Sequence, residues 1–325
     1  MINFAYMVKR IIFAAVAYLA LAGSCAFAQK NADAPMVFVP QWTPQAQFAG
    51  YYVALEKGFY DEEGINVRIE HPTTTSSAMD LMKNGEAQIT TLQLTQALEE
   101  IDDGTPMVNI LQTSMNNGLV IVSRRNMNPM DQKGSRVGIW SVGFGQMAIC
   151  MSNMENLDYQ WIPFAGNVNL FLVGALDATL AMSYNEYYQI LQSGFKIDYN
   201  HVYRFSEHGY NVQEDGVWIR TDVYKNNTDK AQAFARASRK GWEWAAEHEE
   251  ETLDIVMDYC KRYNIGTNRI MQKLMLEEIL RLQLDRESGN REFRLRPDMV
   301  ETASSLLYDN GMTNRLFTID DLLAK

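Results

Sequence analysis

From residue 36 onward, short apolar runs alternate with amphipathic ones, and that alternation predicts the elements of the chain. Residues 36–40 are apolar throughout and read as a strand. Over residues 47–57 the apolar positions Phe48, Tyr51, Tyr52 and Leu55 recur at helical spacing, and Gly58 stands where a helix C-terminus needs positive φ. Ile65, Val67 and Ile69 then alternate with Asn66, Arg68 and Glu70, the period of a strand with one buried face. Ser77 and Asp80 make a capping box for a helix over 78–84, and 89–94 is the next strand. This order predicts a mostly parallel sheet with right-handed crossovers.

Residues 107–115 and 118–123 continue as strand-like runs. The polar stretch 126–133, which carries Pro129, separates this apolar block from the next and is taken as the crossing into a second lobe. In that lobe 136–140, 159–164 and 178–183 read as strands, with helices over 146–154 and 168–174 between them. Residues 202–206 and 217–220 read as strands returning toward the first lobe, with a second crossing near 208–215. Everything after Thr228 is helical: 228–248, 250–263, 267–286 capped by Thr267, and 297–310 with Pro297 in its first turn. The expected architecture is α/β and two-lobed, with lobes over 29–125 and 126–210. Residues 211–325 return to the first lobe and end in a helical tail.

The opening residues belong to neither lobe. Lys9 and Arg10 precede an apolar run, 11–22, too short to span a bilayer, and Ala26-Phe27-Ala28 is a small-residue cleavage site. Residues 1–28 are therefore read as an export signal, with the mature chain starting at Gln29 and a periplasmic location. Cys25, after Leu21-Ala22-Gly23-Ser24, permits a lipid-modified cysteine as the alternative. The net charge is −11 and grows more negative once Lys9 and Arg10 are removed. With no basic stripe, nucleic acid and anionic membrane are excluded as partners. Cys150 and Cys260 remain after export, either bridged or as two buried thiols. His71, His201, His208 and His248 have no ligand spacing with either cysteine, so no metal site is expected.

Candidate chemistry gathers at strand ends. Trp42 follows the first strand and sits among Gln41, Thr43, Gln45 and Gln47, an aromatic wall edged with neutral hydrogen-bonding groups that suits a flat heterocycle. The loop Ser141-Val142-Gly143-Phe144-Gly145 lies between a strand and a helix, and its glycines serve either ligand approach or a tight turn. Tyr184-Asn185-Glu186 ends another strand with a ring, an amide and a carboxylate, and a carboxylate can take two hydrogen bonds from a protonated aminopyrimidine. No phosphate-loop lysine, dinucleotide fingerprint or nucleophile elbow is present. Nothing in the chain demands catalysis.

These residues carry a resemblance. The opening Trp-Thr-Pro at 42–44, the run 49–67, Lys133 through Trp140 with the Gly143-Phe144-Gly145 loop, Gly166-Asn167-Val168, 174–178 and Tyr184-Asn185-Glu186 together resemble the thiamine-pyrimidine family of substrate-binding proteins and synthases, over about 36–220. The synthase branch works with pyridoxal phosphate held by a lysine, with a histidine four residues on. The matching positions here are Leu92 and Gln96, and leucine offers no amine for a Schiff base. The cysteine-rich run of the synthases is replaced by 208–216, which contains no cysteine.

The resemblance therefore implies the other branch: a monomeric extracytoplasmic receptor of an ABC importer with the type II two-lobed periplasmic-binding fold, no cofactor, no enzymatic activity and an inner-membrane permease as partner. It implies that Trp42 stacks on a pyrimidine, Tyr184 and Glu186 hold its edge, and the loop of Ser141, Gly143, Phe144 and Gly145 meets its substituent. Gln41, Phe48, Gln93, Asn167 and Asn185 complete the expected lining. The chain departs from the family pattern at Gln41, Gln45 and Phe48, where an acid, an asparagine and a histidine are common, which loosens the identity of the ligand more than its mode of binding. Alternative readings are a different cargo such as a sulfonate or flavin-like ring, a synthase-like enzyme, and a sensor whose partner is a separate signalling chain.

Overall fold

The structure is a computed structural model that describes residues 34–73, 75–141 and 143–324; the export signal expected over 1–28 lies outside them. Two five-stranded sheets form the two lobes. The first holds β1 (Met36–Val39), β2 (Val67–Ile69), β3 (Ile89–Leu92), β4 (Met107–Gln112) and β10 (Gly216–Arg220) in the order β2-β1-β3-β10-β4. The second holds β5 (Leu119–Ser123), β6 (Arg136–Trp140), β7 (Gln160–Phe164), β8 (Ala178–Met182) and β9 (Val202–Arg204) in the order β7-β6-β8-β5-β9.

Each sheet is mixed rather than mostly parallel. β1 pairs in parallel with β2 and β3, and β6 with β7 and β8, but β10 and β5 run antiparallel to both their neighbours. Those two strands enter from the opposite lobe without a helical crossover, which is what a parallel partner would have required. The first crossing also lies elsewhere than the polar run at 126–133. β4 closes the first sheet at Gln112 and β5 already belongs to the second, so the chain crosses at 113–118. The return runs through 205–215, near the place read from the sequence, although β9 stays wholly in the second sheet.

The two crossings are stitched together by side-chain amides and by peptide groups. Asn117 N donates to Asn211 Oδ1 at 3.0 Å, Gln112 Nε2 to the Glu214 carbonyl at 3.2 Å, and Thr113 N and Ser114 N to the Asp215 carbonyl at 3.0 and 3.2 Å. Buried peptide groups outside a sheet need such partners, which is why a run of Thr, Ser and Asn serves here.

Helix α1 (Ala49–Glu56) follows Trp42, and the helix over Ala78–Lys83, α2, opens with the expected Ser77–Asp80 capping box. α3 (Leu94–Asp102), α4 (Gln146–Met154) and α5 (Glu186–Gln192) complete the lobes. The C-terminal helices are α6 (Thr228–Glu247), α7 (Glu249–Arg262), α8 (Arg269–Leu282) and α9 (Pro297–Asp309). Asn268, not Thr267, caps α8: its side chain accepts from Met271 N at 2.9 Å, while the Thr267 hydroxyl accepts from Gln272.

These helices are structural parts of the lobes rather than a tail. α6 lies against α1 so closely that a Cβ on Gly241 would stand 2.1 Å from the Gly50 carbonyl, and one on Gly50 would run into the Trp242 ring. α9 packs on α3 of the first lobe and α4 of the second. Cys150 and Cys260 are separate buried thiols.

Candidate functional site

The cleft between the lobes is lined by Gln41, Trp42, Gln45, Gln47 and Gln93 from the first lobe and by Trp140, Phe144, Met182, Tyr184, Asn185 and Glu186 from the second. Both sets stand at or just beyond the carboxyl ends of strands, where an open α/β sheet leaves room for a ligand. The free space is about 30 Å³. That is room for about two water molecules and too little for an aromatic ring. The lobes stand closed on their own side chains.

Trp42 is held from behind. Its carbonyl accepts a hydrogen bond from His71 Nδ1 at 2.7 Å, and His71 Nε2 faces the Tyr52 hydroxyl at 2.9 Å. Burial lowers the His71 pKa to about 4, the carbonyl contact opposing that only in part, so the ring is neutral, donates through Nδ1 and accepts the tyrosine proton at Nε2. In front, the indole meets Phe144 edge-on with centroids 5.6 Å apart. Gly166 of the second lobe lies against its far edge, where a Cβ would come within 2.9 Å of Trp42 Cζ2.

Glu186 is the first residue of α5 and only 2 % exposed. Its Oε1 accepts from Trp140 Nε1 at 3.2 Å and from Asn185 Nδ2 at 3.1 Å, and its Oε2 accepts from Met182 N at 3.0 Å. Burial raises the carboxyl pKa, and these N–H donors offset only part of that. The residue's own backbone N–H is a further donor to the carboxylate, so a ligand N–H would share an oxygen with these partners or displace one of them. Tyr184 is also buried, with its phenol held well above the usual value by burial and by nearby carboxylates.

A second buried carboxylate lies behind Gln41 and Gln47. Asp215 Oδ1 accepts from Gln41 Nε2 and Oδ2 from Gln47 Nε2, both at 2.8 Å. Burial raises its pKa to about 6 despite those two bonds. Its neighbour Glu214 is pushed further up, by burial and by the charge on Asp215. Among the described residues no lysine or arginine lines the cleft. Among the described residues no cluster of histidine, cysteine and acidic side chains could hold a metal.

Of the residues expected from the sequence, the structure brings together Gln41, Trp42, Gln93, Phe144, Tyr184, Asn185 and Glu186. Phe48 is fully buried in the first lobe, its ring 5.9 Å from that of His71, so it backs the site without reaching it. Ser141 and Gly143 are exposed, and Gly143 takes φ +75 to make the turn. Gly145 is buried on Ile139, whose Cδ1 would be 2.3 Å from a Cβ there. These two glycines serve the turn and its packing, and among the described residues of the loop Phe144 alone lines the cleft. Asn167 is exposed and spends its Oδ1 on Asn169 N at 3.1 Å. Leu92, where the synthases have a lysine, is buried within β3.

The sequence reading missed Trp140, Met182 and Asp215, and named Gln45 and Gln47 only as neighbours. Trp140 and Met182 are the last residues of their strands, and Trp42 lies just past the end of its own, so the strand-end pattern signals all three. Asp215 had none, since its partners are 174 and 168 residues away.

A family model described as NMT1/THI5 like matches residues 45–252. A formylaminopyrimidine-binding protein from Halalkalibacterium halodurans is 25% identical over 228 residues, 66% of this chain and 68% of its own. The riboflavin-binding protein RibY from Chloroflexus aurantiacus is 21% identical over 252 residues, covering 73% of this chain and 70% of its own. Among solved structures, a protein from Bordetella bronchiseptica superposes with a TM-score of 0.68 at 17% identity, over 90% of this chain and 95% of that one. The periplasmic aliphatic sulphonate binding protein SsuA from Escherichia coli gives a TM-score of 0.64 at 10% identity, over 90% and 92%. The two lobes thus have the fold of periplasmic binding proteins.

Proposed function

The chain belongs to the NMT1/THI5-like family, and from that premise we propose that it is the extracytoplasmic receptor of an ABC importer, capturing a pyrimidine precursor of thiamine. The observation that carries this reading is the buried Glu186 carboxylate, which lines the cleft with Trp42 while none of the described residues there is a lysine or arginine. Such a cleft rewards a flat ring that brings its own positive charge or N–H donors, as an aminopyrimidine does when its ring nitrogen is protonated. A sulfonate would meet buried carboxylates with no compensating guanidinium or ammonium, and the desolvation of its charge would go unanswered. The relative named for formylaminopyrimidine supports the choice of ligand.

Binding follows from geometry. The closed cleft has no room for a ring, so the lobes part, the ligand enters beside Trp42, and Glu186 and Tyr184 engage it as the lobes return. Contacts from both lobes are satisfied together only in the closed form, which is the form a permease would recognise. The reading is of a receptor and not a synthase: hydrocarbon stands at Leu92, and among the described residues no lysine lines the cleft to bind a cofactor. The chemistry it would need has no nucleophile.

Export through residues 1–28 and a periplasmic location complete the proposal. Intact mass of the secreted protein should correspond to a chain beginning at Gln29; a lipid adduct at Cys25 would replace that with membrane anchoring. Titration calorimetry against formylaminopyrimidine, riboflavin and an alkanesulfonate tests the ligand class. Saturable binding of the pyrimidine alone is expected, and binding of the sulfonate alone would overturn the proposal.

A further inference from the structure

Gln41 is more than nine-tenths buried in the cleft wall, and its Oε1 has no hydrogen-bond partner. An unpartnered buried carbonyl is costly unless something arrives to use it. Its amide nitrogen is already committed, donating to Asp215 Oδ1 at 2.8 Å, while its backbone N–H donates to Thr91 Oγ1 at 3.0 Å. Gln47 is committed in the same sense, with Nε2 on Asp215 Oδ2 at 2.8 Å and Oε1 accepting from Gln45 Nε2 at 2.6 Å. The amide donors of both glutamines therefore point toward Asp215, and the oxygen of Gln41 is left over.

We infer, building on the receptor reading above, that Gln41 reads the hydrogen-bonding polarity of the ligand on the first lobe's side, and that Asp215 is the positioning residue that fixes which end of the Gln41 amide is presented. An ionised carboxylate only accepts, so an amide in contact with it must offer its nitrogen. Asp215, with its pKa near 6, is ionised at neutral pH. Gln41 is thereby locked with its oxygen free, and Glu186 presents a second acceptor from the other lobe. The cleft is acceptor-lined on both sides. It selects ligands with N–H groups on opposing edges and rejects those that place a carbonyl or an oxyanion against Gln41.

The arrangement is tied to the hinge. The Asp215 carbonyl receives Thr113 N, Ser114 N and, at 2.7 Å, Thr113 Oγ1, so the same residue joins the two crossings and sets the amide beside Trp42. Selection for N–H groups is thus fixed by a residue that no ligand has to touch.

Asp215→Asn is the informative variant because asparagine carries both an acceptor and a donor. Its amide can donate to Gln41 Oε1, freeing the Gln41 Nε2 to turn toward the cleft. The affinities of the wild type and the variant are compared for an aminopyrimidine and for its oxo counterpart, in which oxygen replaces the ring amino group. The wild type should prefer the amino form by on the order of a hundredfold, the cost of leaving a buried acceptor facing another acceptor. In Asp215→Asn the preference should fall below about tenfold, with the oxo form binding more tightly than it does to the wild type. A general loss of structure would weaken both ligands and leave their ratio unmoved, so an unchanged ratio overturns the inference.

Gln41→Met, which leaves the hinge intact, should lower the preference to the part that Glu186 imposes by itself; retention of the full hundredfold ratio would also overturn the inference. NMR of the ligand-free protein separates this inference from the receptor reading. The Gln41 side-chain amide protons should be protected in the wild type and shift as Asp215 titrates, whichever ligand binds. Rapid solvent exchange of those protons would contradict the lock even if the pyrimidine binds well.

Discussion

Trp42 and Phe144 meet edge to face across the cleft at an interplanar angle of 75°, one ring from each lobe. Aromatic pairs in this geometry contribute about 0.5–1.5 kcal/mol beyond their buried area. Phe144 and Gly166 of the second lobe both lie against the indole, Gly166 at its far edge.

Trp42→Ala should therefore weaken pyrimidine binding about a hundredfold, roughly 2–3 kcal/mol for a central aromatic anchor. Calorimetry measures this directly. The thermal midpoint of the free protein should fall little, because the indole is only partly buried and His71 contacts its carbonyl, which alanine retains.

Gly166→Ala should impair closure. The position has φ +83, which costs any side chain about 1–2 kcal/mol in either state, but the clash with Trp42 Cζ2 at 2.9 Å exists only when the lobes are shut. Small-angle scattering should accordingly show a larger radius of gyration for the variant than for the wild type, both measured without pyrimidine. Equal radii would show that the indole does not close against Gly166.

Two buried groups make stability depend on pH in opposite senses. Asp215 has a folded pKa of about 6 against 3.8 for the free group, so its contribution is fully present below pH 3.8 and is lost as pH rises to 6, on the order of 3 kcal/mol. His71, lowered from 6.5 to about 4, contributes stability that is present above pH 6.5 and lost as pH falls through 4. Between pH 4 and 6 the stability of Asp215→Asn should accordingly improve relative to the wild type as pH rises. Denaturant melts at several pH values measure the difference, and a flat difference would mean that Asp215 titrates normally.

Neither thiol should react in the native state. Burial raises Cys150 to about 12 and Cys260 to about 11, which leaves almost no thiolate at neutral pH. Alkylation followed by intact mass should show no adduct until denaturant is added, then two.

Much of this molecule can be read where the signal is local. The alternation around Val67–Ile69, with Arg68 exposed between two buried residues, the Ser77 capping box and the positive φ of Gly58 depend on neighbours in sequence. So does the placing of Trp42, Tyr184 and Glu186 at strand ends. The lobe crossing was misplaced for the converse reason. Its Thr113, Ser114, Asn116 and Asn117 are buried, while the more polar and proline-bearing stretch at 126–133 is a turn within the second lobe. Which sheet β5 joins is settled by pairing with Ala178–Met182 and Val202–Arg204, far along the chain. Phe48 follows helical spacing into the core instead of the cleft, and Asp215 gains its place only through glutamine partners far away in the chain.

The central claim is that an acceptor-lined, cation-free cleft beneath Trp42 captures a nitrogen heteroaromatic. Titration of the purified protein with formylaminopyrimidine and with Glu186→Gln in parallel tests it most directly. Micromolar or tighter binding, about −8 kcal/mol or better, should appear in the wild type and weaken at least tenfold when the carboxylate is replaced by an amide. Undiminished binding by Glu186→Gln, or a wild type that ignores the pyrimidine and binds a sulfonate, would contradict it.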